Sequence, residues 1–190
     1  GPLMGCSVVV SAGPTYEDID PVRYVGNRSS GRMGYAIAAV AKRRGATVTL
    51  VSGPTTLEPP AVDAVIPVRS AREMHAAVLG AAASADVVVM AAAVADYTPA
   101  RAEPQKIAKG DGPLTLTLER TPDILADLGR QRTRPEQVLV GFAAETSDVL
   151  VRARAKRARK QVDLIVANDG ISLAAVSGNH LAVIAAKHPP

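Results

Sequence analysis

Two stretches, Val87–Met90 and Val138–Val140, are apolar at every position, and this lack of polar alternation constrains the fold more than any other feature of the chain. A strand with no polar face has to be covered on both sides, which is the situation of a central strand in a parallel sheet flanked by helices. The rest of the sequence keeps the same rhythm. Strand-like runs at CSVVVSAG, ATVTLVSG, AVIPV, ADVVVMAAA, QVLVGFA, DLIVAN and HLAVIAA are separated by alanine-rich helical stretches at SGRMGYAIAAVAKRRG, SAREMHAAVLGAAAS, TPDILADLGRQR and TSDVLVRARAKRARKQ. The expectation is an α/β fold, a Rossmann-like and mainly parallel sheet with helices on both faces. The alternating PLTLTLE adds a small antiparallel edge or flap.

Local signals support the helices. Ser70 and Glu73 have capping-box spacing, Thr121 stands as an N-cap before Pro122 and Asp123, and Gly45 follows Arg43 and Arg44 as a C-terminal stop. Two connections exceed what a crossover requires, PTYEDIDPVRYVGN after the first strand and DYTPARAEPQKIAKGDG after the fourth. Both follow the carboxyl ends of strands, where ligands bind in open α/β sheets.

Composition narrows the function. With 47% apolar residues in 190, one compact domain is expected. The Gly-Pro start reads as the remnant of a removed tag, so residues 1–3 are set apart from a single domain over 4–190. The lone Cys6 excludes a disulfide framework and a cysteine-rich zinc site, and fits a reducing, cytoplasmic compartment. VVVMAAAVA, the longest apolar run, falls far short of the roughly 20 residues of a spanning helix. A net charge of +4 suits an anionic ligand, while 3% aromatic residues argue against a stacking platform for single-stranded nucleic acid.

The stretch GNRSSGRMG, Gly26–Gly34, carries the sharpest signal. It lacks the lysine and hydroxyl of a phosphate-binding P-loop, having Arg32 and Met33 there, which argues against a Walker-type NTPase. The dinucleotide fingerprint fails as well, because a long loop separates SAGPT from the glycines. Two readings remain open: backbone N–H groups at a helix start that suit an anion, or glycines that let helix and sheet pack closely. Asp96, after MAAAVA, can cap a turn or hold Mg2+ at a strand's end. Lys106 and Lys109 lie on a loop able to close over a polyphosphate. Arg152, Lys156 and Lys160 form a stripe at i, i+4 and i+8, whose mutual repulsion an anionic partner would offset. The scattered His75, His180 and His188 receive no role.

Taken in order, SAGPTYEDIDPVRYVGNRSSGRMGYAIA, AAAVADY, PQKIAKG, TPDIL, VGFAAET and DLIVAN resemble phosphopantothenoylcysteine synthetase, the CoaB domain of bacterial CoaBC, from about Val8 to Asn168. The resemblance implies a ligase of coenzyme A biosynthesis that joins 4′-phosphopantothenate to L-cysteine. CTP activates the carboxylate as an acyl cytidylate with Mg2+ present, and the cysteine amine then displaces CMP. It implies Asn27 and Lys106 as catalytic residues and Arg23, Asn27 and Ala92 as substrate contacts. The nucleotide site it implies comprises Met90, Ala91, Ala92, Asp96, Lys106, Pro122, Asp123, Ile124, Leu125, Phe142, Lys156 and Lys160, with Asp96 as the metal ligand. A homodimer that completes the site in trans, and natural fusion to a flavin-dependent decarboxylase, follow from the same resemblance. The chain departs from the family pattern at GISLAAVSG and after NHLAVIAAKHPP, where a closing segment and final helix are expected. The rival readings are a Rossmann-type oxidoreductase and a basic nucleic-acid-binding domain.

Overall fold

The computed structural model describes residues 1–132, 134–144, 148–168, 172–177 and 180–186. In chain order its elements are β1 (Ser7–Ala12), β2 (Tyr16–Asp18), β3 (Tyr24–Gly26), α1 (Arg32–Arg43), β4 (Thr47–Ser52), β5 (Ala64–Pro67), α2 (Ala71–Ala82), β6 (Val87–Met90), β7 (Tyr97–Pro99), β8 (Leu118–Arg120), α3 (Ile124–Arg130), β9 (Val138–Ala144), α4 (Val149–Lys160), β10 (Leu164–Asn168), β11 (Ser172–Ser177) and β12 (His180–Ala186). Eight strands form one sheet in the order β12-β11-β10-β9-β6-β1-β4-β5. From β5 to β10 the neighbours are parallel; β11 and β12 extend the sheet as an antiparallel hairpin. The two strands without polar alternation, β6 and β9, lie side by side in the centre, as the sequence predicts.

Period-two alternation sorts the side chains of the sheet. Val8, Val10 and Ala12 of β1 join Val48 and Leu50 of β4 beneath Tyr35, Ala38 and Ala41 of α1. Val9 and Val51 point the other way, into the layer built from Met74 and Val78 of α2, Ile124, Leu125 and Leu128 of α3, and Ala153 of α4. Helices therefore cover both faces, one on the first and three on the second. The hydroxyl of Tyr35 meets Ser52 Oγ at 2.9 Å, giving both buried groups a partner and fixing the α1–β4 distance.

The glycines at the start of α1 have separate causes. Gly31, the N-cap, has φ 79°, which a side chain would strain. A Cβ on Gly34 would lie 2.4 Å from the Ala12 Cβ. The packing reading therefore accounts for Gly34, where the helix touches the sheet backbone.

Some expectations need correction. The N-cap of α3 is Asp123, not Thr121: the Asp123 side chain accepts from Ala126 N at 3.0 Å, while the Thr121 hydroxyl is drawn to the Ala95 carbonyl at 2.6 Å. PLTLTLE is no edge of the main sheet. Only Leu118–Arg120 pairs, with Tyr97–Pro99, in a separate flap, and Leu114, Leu116 and Leu118 stay exposed, with no layer behind them to turn alternation into a buried face. The hairpin of β2 and β3 and the strand β11 were not expected. The capping box at Ser70 and the turn at Gly45 are as predicted. Thr133, the Glu145 and Thr146 of VGFAAET, Ser147, Asp169, Gly170, Ile171, Gly178, Asn179 and residues 187–190 lie outside the described residues. Among the described residues no helix is long and apolar enough to cross a membrane.

At the amino ends of the strands a polar clamp ties β1 to β6 and to the approach to β9. Asp86 accepts from Ser7 N at 2.8 Å, Ser7 Oγ at 3.0 Å and Arg134 Nη2 at 2.7 Å. These bonds, the Ser7 N–H first and Arg134 next, hold its carboxyl at about 2, below the ordinary 3.8. A folded-state value below the unfolded one means that the contribution is complete above about pH 4 and is lost as pH falls towards 2. Asp86→Asn should lower Tm at pH 7 and flatten the decline of Tm that the parent shows between about pH 4 and pH 2; an unchanged acid slope would contradict the clamp. Gly34→Ala should cost about 1–3 kcal/mol in urea unfolding by forcing α1 off β1, and an unchanged midpoint would contradict the close approach.

Candidate functional site

The site begins where β1 and β6 end. From Ser11 near the end of β1 onward the chain offers acceptors at every second position, and the segment after β6 donates to them in turn. Ala92 N reaches Ser11 Oγ at 3.2 Å, Ala93 N reaches the Gly13 carbonyl at 2.9 Å, and Ala95 N reaches Thr15 Oγ1 at 2.9 Å. Ser11 and Thr15 are fully buried, so each hydroxyl is committed to this role. Their spacing in SAGPT, hydroxyls four apart around a glycine, was the available signal, and sequence reasoning missed it.

Onto this loop come two further segments. The Asn27 side chain, carried past the β2–β3 hairpin, donates from Nδ2 to the Val94 carbonyl at 3.0 Å. One N–H of that amide is thereby held, and the other remains as a directed donor. From the opposite direction Thr121 donates its N–H to the Asp96 carbonyl at 3.0 Å and its hydroxyl to Ala95. Asp123 follows, capping α3 and forming an ion pair with Lys160 of α4. One turn earlier on the same helix, Lys156 donates to the Phe142 carbonyl at the end of β9 at 2.6 Å.

Apart from Lys106, the predicted nucleotide residues thus lie in one region at the carboxyl ends of β6 and β9 and the start of α3. Within it, Met90, Ile124 and Leu125 are buried in the core, so their side chains are structural. Gly141 leaves room for Leu125, since a Cβ there would lie 2.5 Å from Leu125 Cδ2. Ala91 and Ala92 are half-buried and Asp96 and Asp123 exposed. Near Ser29 and Ser30 the hydroxyls face the Gly31 and Arg32 N–H groups at 3.3 and 3.4 Å, so an anion there would replace long, weak contacts.

Arg23 and Lys106 belong to a second region. Arg23 is bound to Asp20 and to the Ile107 carbonyl, at 3.2 Å each. Lys106 is exposed and lines a cleft of about 780 Å3 under the flap, with Ile19, Arg101, Glu103 and Leu116 among its walls. Within one chain, therefore, Arg23 is a partner of the lysine loop and not of the strand-end crevice.

Perturbed carboxylates occur at both ends of the sheet, Asp86 at the amino ends and Asp123 near the carboxyl ends. Burial acts against the Asp123 carboxylate, but the bond from Lys160 and then the Ala126 N–H outweigh it and hold Asp123 below its ordinary value. Among the described residues no three side chains are placed to hold a metal ion between them. Asp96 is a single exposed carboxylate, which fits Mg2+, an ion that takes one or two protein carboxylates and completes its shell from phosphates and water.

The profile of the DNA/pantothenate metabolism flavoprotein C-terminal domain family matches residues 3–188. The coenzyme A biosynthesis bifunctional protein CoaBC of Bacillus subtilis (strain 168) is 52% identical over 169 residues, covering 88% of this chain and 41% of that protein. The chain therefore spans about two fifths of the length of such curated relatives. A crystal structure of the C-terminal domain of CoaBC has a TM-score of 0.85 and 42% identity, over 97% of this chain and 88% of that one. A Cab2 mutant in complex with phosphopantothenate-cysteine shares the fold, with a TM-score of 0.78 at 18% identity, over 96% of this chain and 81% of that one.

The double duty of Asp123 is testable apart from any activity. Asp123→Ala should cost about 1 kcal/mol in urea unfolding through loss of the cap, and Asp123→Asn, which still caps, clearly less. Equal losses would assign the effect to the Lys160 pair instead.

Proposed function

The chain belongs to the DNA/pantothenate metabolism flavoprotein C-terminal domain family, and from that premise we propose that it is a phosphopantothenate–cysteine ligase of coenzyme A biosynthesis, with CTP as co-substrate and Mg2+ as its ion. The supporting observation is the unbroken run of bonds from Asn27 through Val94, Ala95, Asp96 and Thr121 to Asp123 and Lys160. It gathers an amide, two carboxylates and a lysine at the carboxyl end of a parallel sheet, with Lys156 one turn away on α4 and no cysteine, serine or histidine nucleophile among them.

That inventory suits activation of a carboxylate. In the first step an oxygen of 4′-phosphopantothenate attacks the α-phosphorus of CTP, and the bond to the leaving pyrophosphate breaks. In the second the cysteine amine attacks the acyl carbon, CMP departs with the bonding pair, and the amine proton passes to solvent or base. Lys156 and Lys160 are placed to bind the phosphates, Lys156 beside the Phe142 carbonyl and Lys160 on an Asp123 carboxylate that an anion can replace. Small side chains at Ala91 and Ala92 leave the strand-end backbone accessible to a flat base or ribose. Mg2+, held by Asp96 and the phosphates, would neutralise charge on the triphosphate. Asn27, steadied by Val94, can donate its second N–H to the acyl oxygen as negative charge gathers there in the second step. Lys106 would bring its charge to the activation step from the flap side.

Two assembly features belong to the proposal. Arg23, held by Asp20 on the flap side of its own chain, would meet substrate anions in the neighbouring subunit of a homodimer. Fusion to a flavin-dependent decarboxylase half agrees with the fraction of the bifunctional relatives that this chain spans.

Quenched mixtures of protein, CTP, Mg2+ and phosphopantothenate should contain an acyl cytidylate by mass spectrometry, converted to product only when cysteine is added. Asn27→Ala should leave that intermediate forming and slow its conversion about 100-fold, the usual effect of losing an oxyanion donor. Normal product flux in the variant would remove Asn27 from the second step, and no cysteine-dependent product from the parent chain would overturn the ligase reading.

A further inference from the structure

From Pro104 to Arg120 every residue except Ile107 is exposed, so no apolar core places the loop that carries Lys106. Ile107 lies at a particular junction. It lines both the 780 Å3 cleft and a neighbouring one of about 500 Å3 that also contains Arg23 and Lys109. The position of the loop relative to both clefts is decided where Ile107 is held.

It is held by Asp20. The Asp20 side chain has no exposed surface, and its two oxygens meet four donors. Oδ1 accepts from Val22 N and Arg23 N, both at 2.8 Å; Oδ2 accepts from Arg23 Nη1 at 3.2 Å and from Ile107 N at 3.1 Å. Arg23 closes the ring by donating Nη2 to the Ile107 carbonyl at 3.2 Å. Both polar groups of the Ile107 peptide are thus taken by one ion pair, 84 and 87 residues away in sequence. A second tie runs alongside, from Glu103 N to the Ile19 carbonyl at 2.8 Å. Burial works against the Asp20 charge, yet the Val22, Ile107 and Arg23 N–H groups and the Arg23 charge keep the carboxyl below its ordinary value. A carboxylate is required for this geometry, because four converging donors need two acceptor oxygens and an amide provides one.

We propose that Asp20 is a positioning residue that, with Arg23, fixes Lys106 by clamping the neighbouring Ile107 peptide, and so sets the placement of the loop lysine for the activation step. The catalytic part of this statement rests on the ligase reading; the mechanical part does not.

The test uses the full chain and three variants, Asp20→Asn, Ile107→Pro and the double. Ile107→Pro removes the clamped N–H from the other side and keeps the proposal testable if Asp20→Asn fails to fold. Limited trypsin digestion is followed at the Lys109–Gly110 bond, which all forms retain, with Tm recorded beside it. Each single variant should be cut there about tenfold faster than the parent, and the double no faster than the faster single, because both break one contact. Pyrophosphate release should show kcat reduced about tenfold with KM for CTP little changed, the pattern of a displaced catalytic group rather than a lost binding one. Cleavage of both singles at the parent rate, or effects that multiply in the double, would overturn the clamp. Faster cleavage with unchanged kcat would overturn its link to Lys106. A parent chain with no CTP-dependent turnover would defeat the ligase reading while the cleavage ratios still decide the clamp.

Discussion

The candidate site depends on the hydrogen bonds between the segment after β1 and the segment after β6. Parallel strands end in a row of unpaired N–H and C=O groups that the sheet no longer satisfies, and such groups have to find partners or water. Here Ser11, the Gly13 carbonyl and Thr15 continue the ladder beyond the sheet proper, so that Ala92 to Ala95 leave β6 in a defined path. Asn27 docks on the resulting edge at Val94 and Thr121 docks on it at Ala95 and Asp96. Without that extension none of the three segments would have a fixed relation to the others.

The two ends of the sheet consequently differ in kind. At the amino ends Asp86, Ser7 and Arg134 satisfy one another in a closed cluster that leaves nothing over for a ligand. At the carboxyl ends Lys160 is paired with an exposed carboxylate that an incoming anion can replace, and Lys156 lies one turn away beside the Phe142 carbonyl. A strongly perturbed acid does not by itself mark a binding site: the carboxyl held at about 2 is that of Asp86, in the closed cluster. Geometry and replaceable partners, not the size of a shift, distinguish a site from a clamp.

Much of this was legible in the residues. The apolar runs of β6 and β9 placed the centre of the sheet, since only a doubly covered strand can dispense with polar alternation. The alternation in PLTLTLE was read correctly as a small antiparallel element, with edge and flap both left open, because period two records a pleat and not what lies behind it; the structure has the flap. Thr121 was mistaken for a cap because its spacing suits one; the tertiary acceptor at Ala95 cannot be seen in a local window. The hairpin of β2 and β3 has only three-residue strands, below what periodicity can resolve. Resemblance grouped the residues proposed for the nucleotide, and the structure brings all of them but Lys106 to the carboxyl ends of the central strands. It could not show that Ile124 and Leu125 are core side chains, or that Arg23 is engaged by Asp20.

The central claim is that the strand-end crevice receives a nucleoside triphosphate whose α-phosphorus is presented to a carboxylate. A crystal structure of the chain soaked with CTP and Mg2+ tests it most directly. The account places the cytidine against Ala91 and Ala92, the phosphates at Lys156 and Lys160 with the Asp123 pair broken, and the metal beside Asp96. Nucleotide density lodged away from the carboxyl ends of β6 and β9, or bound there with Lys160 still on Asp123, would contradict it.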